Sequence, residues 1–137
     1  MRYWLLKSEP STYSWDRLVG DGRTGWDGVR NNQAANNLKA MMKGDCAFFY
    51  HSGEGPAIVG VVEIVKGAYP DASDATGRFV MVDVEPREPV KQKVTLAAIK
   101  AEPRLATFAL VRQSRLSVVP VSAAEWRLLC KMAGIAA

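Results

Sequence analysis

The chain has 137 residues and a formal net charge of +4, and 48% of its residues are hydrophobic and 23% charged. These values are typical of one globular domain that buries a core without disulfides or metals, so we expect a single domain over residues 1–137. No apolar run approaches the length of a membrane span, and the apolar start at Tyr3–Leu6 is short for a signal peptide. We therefore expect a cytoplasmic protein with no membrane partner.

The first third of the chain predicts a strand, two helices and a glycine-rich loop between the helices. Aromatic and apolar residues at Tyr3–Leu6 are typical of a short buried strand, and a short helix is predicted over Trp15–Val19. Three glycines make the next segment a loop. Apolar residues at three- and four-residue spacing then predict a helix that begins at Asn31 or the next residue and ends at Met42, before Gly44.

The middle of the chain predicts two strands and a polar excursion. Cys46–Tyr50 and Ala57–Val65 are rich in aromatic and β-branched residues, and we expect them to pair as a hairpin across the loop His51–Pro56. Gly60 within the second strand indicates a bulge or bend, as a closed barrel requires. The polar segment Tyr69–Gly77 is predicted as a loop.

The last part of the chain predicts two further strands and short helices. Phe79–Val84 is a predicted strand that ends near Pro86 and Pro89, and helical segments are predicted within residues 95–100 and 105–110. Leu116–Val121 is a predicted strand that Pro120 places at an edge or a bulge, and a capping box then opens a final helix. This irregular mixture indicates an α+β fold, a small twisted β-barrel flanked by short helices.

Metal and cofactor chemistry has few candidate residues in this chain. Cys46 and Cys130 lie far apart in apolar surroundings, so they are most simply buried thiols. A single histidine excludes a multi-histidine site. We expect no metal and no cofactor.

An enzyme built on the adjacent residues His51 and Ser52, with Glu9 orienting the histidine, is one hypothesis. Neighbouring residues in a strand point to opposite faces, however, and the chain has no Gly-x-Ser-x-Gly nucleophile elbow. A zinc deaminase would need a Cys-x-x-Cys pair, which is absent. We therefore expect no catalytic site, and His51 is better interpreted as part of a polar wall or as a hydrogen-bonded loop residue.

The segment Trp26–Asn37 combines an aromatic ring, a glycine turn, an arginine and many amides. Because asparagine is a poor helix former, this density of amides favours a binding role. An aromatic face beside a guanidinium and amides suits a site that stacks on a flat ring and hydrogen-bonds to its edge. The alternative is structural: Trp26 is an ordinary half-buried aromatic, and the asparagines cap a helix and line its solvent face.

Positive charge is concentrated between Arg87 and Arg115, where seven basic residues face two acidic ones. Such a surface attracts polyanions through salt-dependent phosphate contacts. The alternative is a solvated surface that keeps the protein soluble. The predicted phosphate-binding residues are Arg112, Arg115, Lys91, Lys93 and Arg104.

Six motifs, in order along nearly the whole chain, resemble those of the EVE domain family. They are YWLLKSEP at 3–10, WDGVRN at 26–31, FFYHS at 48–52, IVGVVEIV at 58–65, AYPD at 68–71 and RLSVVPVS at 115–122. The resemblance implies a PUA-like fold, a small, mixed, partly closed β-barrel of five to six strands with flanking helices. It also implies relatedness to YTH and ASCH domains and a role in reading modified DNA bases, notably 5-methylcytosine and its oxidised forms.

The resemblance further implies a pocket that receives a base turned out of its stack. Trp26, together with Tyr50, is expected to stack on the base, and Asn31, Ser8, Glu9 or Ser117 to bond its Watson–Crick edge. The predicted base pocket comprises Lys7, Ser8, Glu9, Trp26, Val29, Arg30, Asn31, Tyr50, His51, Ser52, Leu116 and Ser117.

The chain departs from the family pattern after Ala68-Tyr69-Pro70-Asp71. The family often has a long, lysine-rich insertion there that ends in Pro-Arg-Trp, whereas residues 71–78 of this chain are few, contain one basic residue, Arg78, and lead directly to Phe79. This difference bears on the affinity for a nucleic-acid backbone and on any preference for a duplex.

The resemblance leads us to expect a nucleic-acid-binding module that reads 5-methylcytosine or an oxidised form in DNA. Its expected partner is a nucleic acid with a modified base, DNA ahead of RNA, and any effector protein is unknown. One alternative is a module that binds modified RNA. A second is a nucleoside-binding protein or hydrolase that uses the same pocket.

Overall fold

The computed structural model describes residues 1–137, which form six strands, five helices and one 3-10 turn. The strands are β1 (Tyr3–Ser8), β2 (Thr24–Trp26), β3 (Cys46–His51), β4 (Ala57–Pro70), β5 (Val80–Thr95) and β6 (Val118–Val121). The helices are α1 (Trp15–Asp21), α2 (Asn32–Ala40), α3 (Leu96–Ala101), α4 (Ala109–Arg112) and α5 (Ala123–Ala133), and the 3-10 turn is Pro103–Leu105. None of these helices has the length and apolar character needed to cross a membrane.

All six strands form one mixed sheet in the order β2-β5-β4-β3-β1-β6. β1 and β3 are parallel, and the other neighbours are antiparallel. The two edge strands, β2 and β6, do not pair, so the sheet is not a closed barrel. The predicted α+β fold with short flanking helices is confirmed, and the barrel is open.

The sheet is nevertheless strongly curved. β2 lies three strand positions from β3, which would separate them by about 14 Å in a flat sheet. Yet the rings of Trp26 on β2 and Phe49 on β3 lie with centroids 5.6 Å apart. Curvature therefore brings the β2 edge back over the centre of the sheet, where the two rings meet.

Three strand predictions were wrong in this part of the sheet. β4 continues past the predicted end at Val65 to Pro70, because it pairs there with β5. β2 falls in a segment predicted as a loop, because three residues are too few for a periodic pattern and its pairing with β5 is non-local. β5 continues through Pro86 and Pro89, where an end was predicted. Beyond Val84, β5 pairs only with β4, so the prolines lie where no second neighbour needs their missing N–H groups.

Helix α2 begins as predicted and ends earlier. The Asn31 side chain accepts a hydrogen bond from the Ala34 amide at 3.0 Å and caps the helix. The helix ends at Ala40, and Met42, predicted on the apolar face, is 68% exposed. Asn37, predicted on the solvent side, donates to the Val118 carbonyl oxygen at 2.8 Å and joins α2 to β6.

The core contains a close contact between Trp15 and the backbone of β4. Gly60 lies opposite Phe49 in the register of β3 and β4, where the pairing shifts as the sequence predicted. A Cβ atom at Gly60 would lie 2.5 Å from the Trp15 ring. Gly60 therefore leaves the space in which the indole rests against the sheet.

We expect Gly60→Ala to lower the free energy of unfolding by about 1–3 kcal/mol, because the new methyl group forces the rigid indole of Trp15 to shift. Urea denaturation of the purified variant measures this loss. Gly20→Ala is the matched control, since a Cβ there contacts nothing within 4 Å. Removing the backbone freedom of a helical glycine should raise stability by roughly 0.5–1 kcal/mol. Equal stability of Gly60→Ala and wild type would contradict the packing.

Candidate nucleic-acid interface

An open cleft of about 470 Å³ lies where the end of β1 faces β2 and the loop after β2. Several predicted pocket residues meet there: Lys7, Ser8, Glu9, Trp26, Val29, Arg30 and Ser117. The other lining residues were not among the predicted pocket residues, although two of them fall in the segment Trp26–Asn37; they are Thr12, Tyr13, Thr24, Gly25, Asp27 and Gly28. A cleft of this size is in the range of small-ligand sites.

Trp26 provides the aromatic surface of the cleft. Its ring packs edge-to-face against the fully buried Phe49, with centroids 5.6 Å apart and planes at 87°. The Trp26 residue is only partly buried. Because Phe49 holds the ring and the cleft leaves part of it open, Trp26 has the geometry of a stacking platform.

Packing against Met81 and a polar network hold β2 in place behind the cleft. A Cβ atom at Gly25 would lie 2.2 Å from Cε of Met81, so a larger residue there would require the Met81 side chain to move. The Tyr69 hydroxyl donates to Asp83, whose other oxygen pairs with Arg23 at 2.9 Å. That hydrogen bond, with burial, raises the pKa of Tyr69 to about 12, so the phenol stays a donor.

The end of β1 forms a fixed turn at the cleft. Lys7 Nζ donates to the Ser114 carbonyl oxygen at 2.9 Å, and burial lowers the pKa of Lys7. Ser8 Oγ donates to the Tyr13 carbonyl oxygen at 2.5 Å. The Glu9 carbonyl oxygen accepts from the amides of Thr12 and Tyr13, both at 2.9 Å. These bonds fix the three residues relative to Trp26.

Asp71 holds the opposite wall of the cleft. Its side chain is fully buried, and Oδ2 accepts from the Gly28 amide at 2.8 Å and from Arg30 at 2.9 Å. Oδ1 accepts from the amide and hydroxyl of Ser73 at 2.8 and 2.6 Å. Burial alone would raise the pKa of Asp71, but the hydrogen bonds from Ser73, Arg30 and Gly28 outweigh it and hold the pKa well below its usual range.

The remaining predicted pocket residues lie outside the cleft. Tyr50 is buried beneath Lys7, with the ammonium 5.9 Å from the ring centroid. His51 Nε2 accepts the Trp15 backbone N–H at 3.0 Å, and burial, followed by the charge of Lys93, lowers the pKa of His51. Ser52 follows β3 and donates its amide to the Ser8 carbonyl oxygen at 2.9 Å. Asn31 and Leu116 line a neighbouring depression.

That neighbouring depression contains two of the predicted phosphate ligands. Arg112 and Arg115 line it together with amide and hydroxyl side chains and no acidic residue, in a volume of about 320 Å³. It adjoins the cleft, since Asn31 and Leu116 are the chain neighbours of the cleft residues Arg30 and Ser117.

The other three predicted phosphate ligands lie apart from this depression. Lys91 packs beside Gly134 at the end of α5. Lys93 lies close enough to His51 to influence its pKa. Arg104 is paired with Glu102 in a 2.5 Å ion pair.

The sequence matches a known protein family over nearly its whole length. The model of the EVE domain family matches residues 2–132. The chain belongs to the EVE domain family. Rat thymocyte nuclear protein 1 is 34% identical over 164 residues, which cover 95% of this EVE domain and 73% of the rat protein.

Solved structures show the same fold. A protein of Rhodopseudomonas palustris, solved by NMR, is 57% identical with a TM-score of 0.93 and covers 98% of this chain and 94% of its own. Human THYN1 in complex with 5-methylcytosine-containing DNA is 32% identical with a TM-score of 0.91. The match covers 97% of this chain and 98% of the human chain. A YTH domain of Zygosaccharomyces rouxii, at 16% identity and a TM-score of 0.61, shares the fold.

We expect Asp71→Asn to lower the free energy of unfolding by about 2 kcal/mol, because the new amide cannot accept all the hydrogen bonds that converge on the buried carboxylate. Chemical denaturation at neutral pH measures the loss. Asp27→Asn is the matched control, since Asp27 lies in the loop after β2, which Asp71 contacts through Gly28, and the exposed Asp27 carboxylate forms no ion pair.

The stability difference between wild type and Asp71→Asn should depend on pH. Folding lowers the pKa of Asp71, so its contribution is complete above the usual value of 3.8 and is lost as the pH falls further. The difference should therefore be largest near neutral pH and narrow in acid. A difference that grows in acid would contradict the assigned network.

Proposed function

We propose that this EVE domain is a nucleic-acid-binding module that reads a modified cytosine, 5-methylcytosine or an oxidised form, in DNA. The base leaves its stack and enters the cleft at Trp26. The observation that carries the proposal is the Trp26 ring, held edge-to-face by Phe49 and left partly open in a cleft lined by polar side chains. The human relative in complex with 5-methylcytosine-containing DNA supports the class of ligand.

Several groups in the cleft, and Asn31 in the neighbouring depression, have a role in this proposal. Trp26 stacks on the base, and Val29, which is 8% exposed, offers an apolar contact to a 5-methyl group. Ser8, Glu9 and Ser117 face the polar edge of the base. Asn31 Oδ1 caps α2, so only the Asn31 amide nitrogen is left to donate to the ligand.

Phosphate contacts must add to stacking for tight binding. Stacking one base contributes about 1–3 kcal/mol, and flipping a paired base costs a few kcal/mol. Arg112 and Arg115, next to the cleft, are therefore proposed to bind the phosphates that flank the base. Three further phosphate ligands stay predictions: Lys91, Lys93 and Arg104. Four further pocket residues also stay predictions: Tyr50, His51, Ser52 and Leu116.

The proposal includes no catalytic activity. The Nε2 atom that His51 would use as a base already accepts the Trp15 amide, and the lowered pKa of His51 favours that neutral form. His51 instead positions α1 against the end of β3. The cytoplasmic location expected from the sequence stays a prediction.

We expect Trp26→Ala to weaken binding of a 5-methylcytosine oligonucleotide by roughly 10–100-fold, which is the loss of one stacked base. Fluorescence anisotropy measures it with matched single- and double-stranded DNA and RNA that carry cytosine, 5-methylcytosine or 5-hydroxymethylcytosine. Trp26→Phe is the control, because it keeps a ring on the same strand and should retain part of the affinity. Undiminished binding by Trp26→Ala would contradict the stacking role, and preference for RNA would contradict the proposed DNA ligand.

We expect Arg115→Gln and Arg112→Gln each to reduce the slope of log affinity against log salt by about 0.7–0.9, because one phosphate contact is lost. The same titration at several salt concentrations gives the slope. Arg127→Gln is the control, since Arg127 is exposed on α5 and lines neither the cleft nor the depression. An unchanged slope in both Arg112→Gln and Arg115→Gln would show that neither arginine contacts a phosphate.

A further inference from the structure

The polar groups of the cleft divide into those already bonded within the chain and those still free. Arg30 is paired with Asp71. The Ser8 hydroxyl donates a hydrogen bond to the Tyr13 carbonyl oxygen. The Tyr13 hydroxyl donates to Asp21 at 2.8 Å. These groups shape the cleft, and the protons of the two hydroxyls are not available to a ligand.

Among the charged groups of the cleft, two carboxylates and one ammonium remain for a ligand. Neither Glu9 nor Asp27 forms an ion pair within the chain. The single hydrogen bond to the Glu9 side chain comes from Ser11 Oγ at 3.5 Å, the long limit of such a bond. Lys7 carries three N–H donors, and one of them bonds the Ser114 carbonyl oxygen.

The Glu9 carboxylate lies beside a glycine of the loop after β3. The Glu9 carbonyl oxygen accepts two amides in the turn that follows β1, which fixes the backbone from which the side chain extends. Oε2 and Oε1 lie 2.8 and 2.9 Å from where a Cβ at Gly53 would be, so the missing side chain at Gly53 leaves room for the carboxylate. Glu9 is exposed and lines the cleft, so its carboxylate is open to a ligand.

We propose that Glu9 accepts a hydrogen bond from the exocyclic amine of the bound base while Lys7 donates to the ring nitrogen or carbonyl oxygen beside that amine. The cleft then selects an amino-bearing base such as cytosine over a keto base such as thymine. This inference rests on the proposed function, since it assigns the chemical group by which the same cleft recognises its base.

The donor and acceptor pattern of the two bases explains the selection. Cytosine presents an amine donor beside an acceptor ring nitrogen, and the carboxylate and the ammonium that line the cleft can accept from the one and donate to the other. Thymine presents a carbonyl oxygen where cytosine has the amine, and that oxygen would face the Glu9 carboxylate with no proton between them. Lys7 is suited to its part, since burial already disfavours its charge and an acceptor in the cleft stabilises it.

The matched probe pair is 5-methylcytosine and thymine in otherwise identical single-stranded oligonucleotides. Both bases carry the 5-methyl group, so contact with Val29 is the same and only the polar edge differs. Wild type should bind the 5-methylcytosine probe about tenfold or more tightly than the thymine probe. Glu9→Gln keeps the shape of the side chain and can turn its amide toward a carbonyl oxygen. In this variant the ratio of the affinities for the 5-methylcytosine and thymine probes should fall to about three or less.

Glu54→Gln is the matched control, because it removes the same charge by the same substitution from an exposed residue that does not line the cleft, and it should leave the ratio at its wild-type value. A wild-type ratio near one, an unchanged ratio in Glu9→Gln, or loss of the ratio in Glu54→Gln would overturn the assignment to Glu9. If wild type bound neither probe nor any modified oligonucleotide, the proposed function itself would fail, and that result is distinct from the others.

Discussion

Phe49 is the residue on which the candidate site depends. Its fully buried ring meets three other rings edge-to-face, those of Trp15, Trp26 and His51, at centroid distances of 5.5, 5.6 and 5.6 Å. These contacts join α1, the β2 edge and the end of β3 to one point in the core. The Trp26 ring is therefore positioned by the hydrophobic core, and its open part faces the cleft.

Phe49 holds the Trp26 ring, and polar contacts hold the walls of the cleft around it. Asp71 holds Gly28 and Arg30 on one wall, and the turn at Glu9 holds the other. A site whose walls are fixed before the ligand arrives loses less side-chain and loop entropy on binding. The short 71–79 loop is itself tightly bonded, since Asp74 accepts the Thr76 and Phe79 amides at 2.9 and 2.8 Å.

Local signals in the sequence predicted much of the fold, and non-local pairing explains what they missed. The Asn31 and Ser122 caps depend on residues three positions away, and both were predictable. The β2 strand and the continuation of β5 depend on partners distant in the chain. The motif at 3–10 led to Lys7, Ser8 and Glu9, whereas the role of Asp71 was not predictable because its partners Gly28 and Arg30 are 43 and 41 residues away.

The most direct test of a base stacked on Trp26 is a titration of the ¹⁵N-labelled protein, with the four indole N–H signals assigned, by a short single-stranded DNA that contains 5-methylcytosine. Trp4, Trp15 and Trp126 are buried, and Trp4 Nε1 donates to Asp45 at 3.2 Å, whereas Trp26 lines the cleft. The Trp26 signal should shift strongly with the added DNA while those of Trp4 and Trp126 stay in place. An unmoved Trp26 signal at saturating DNA would contradict the proposed site.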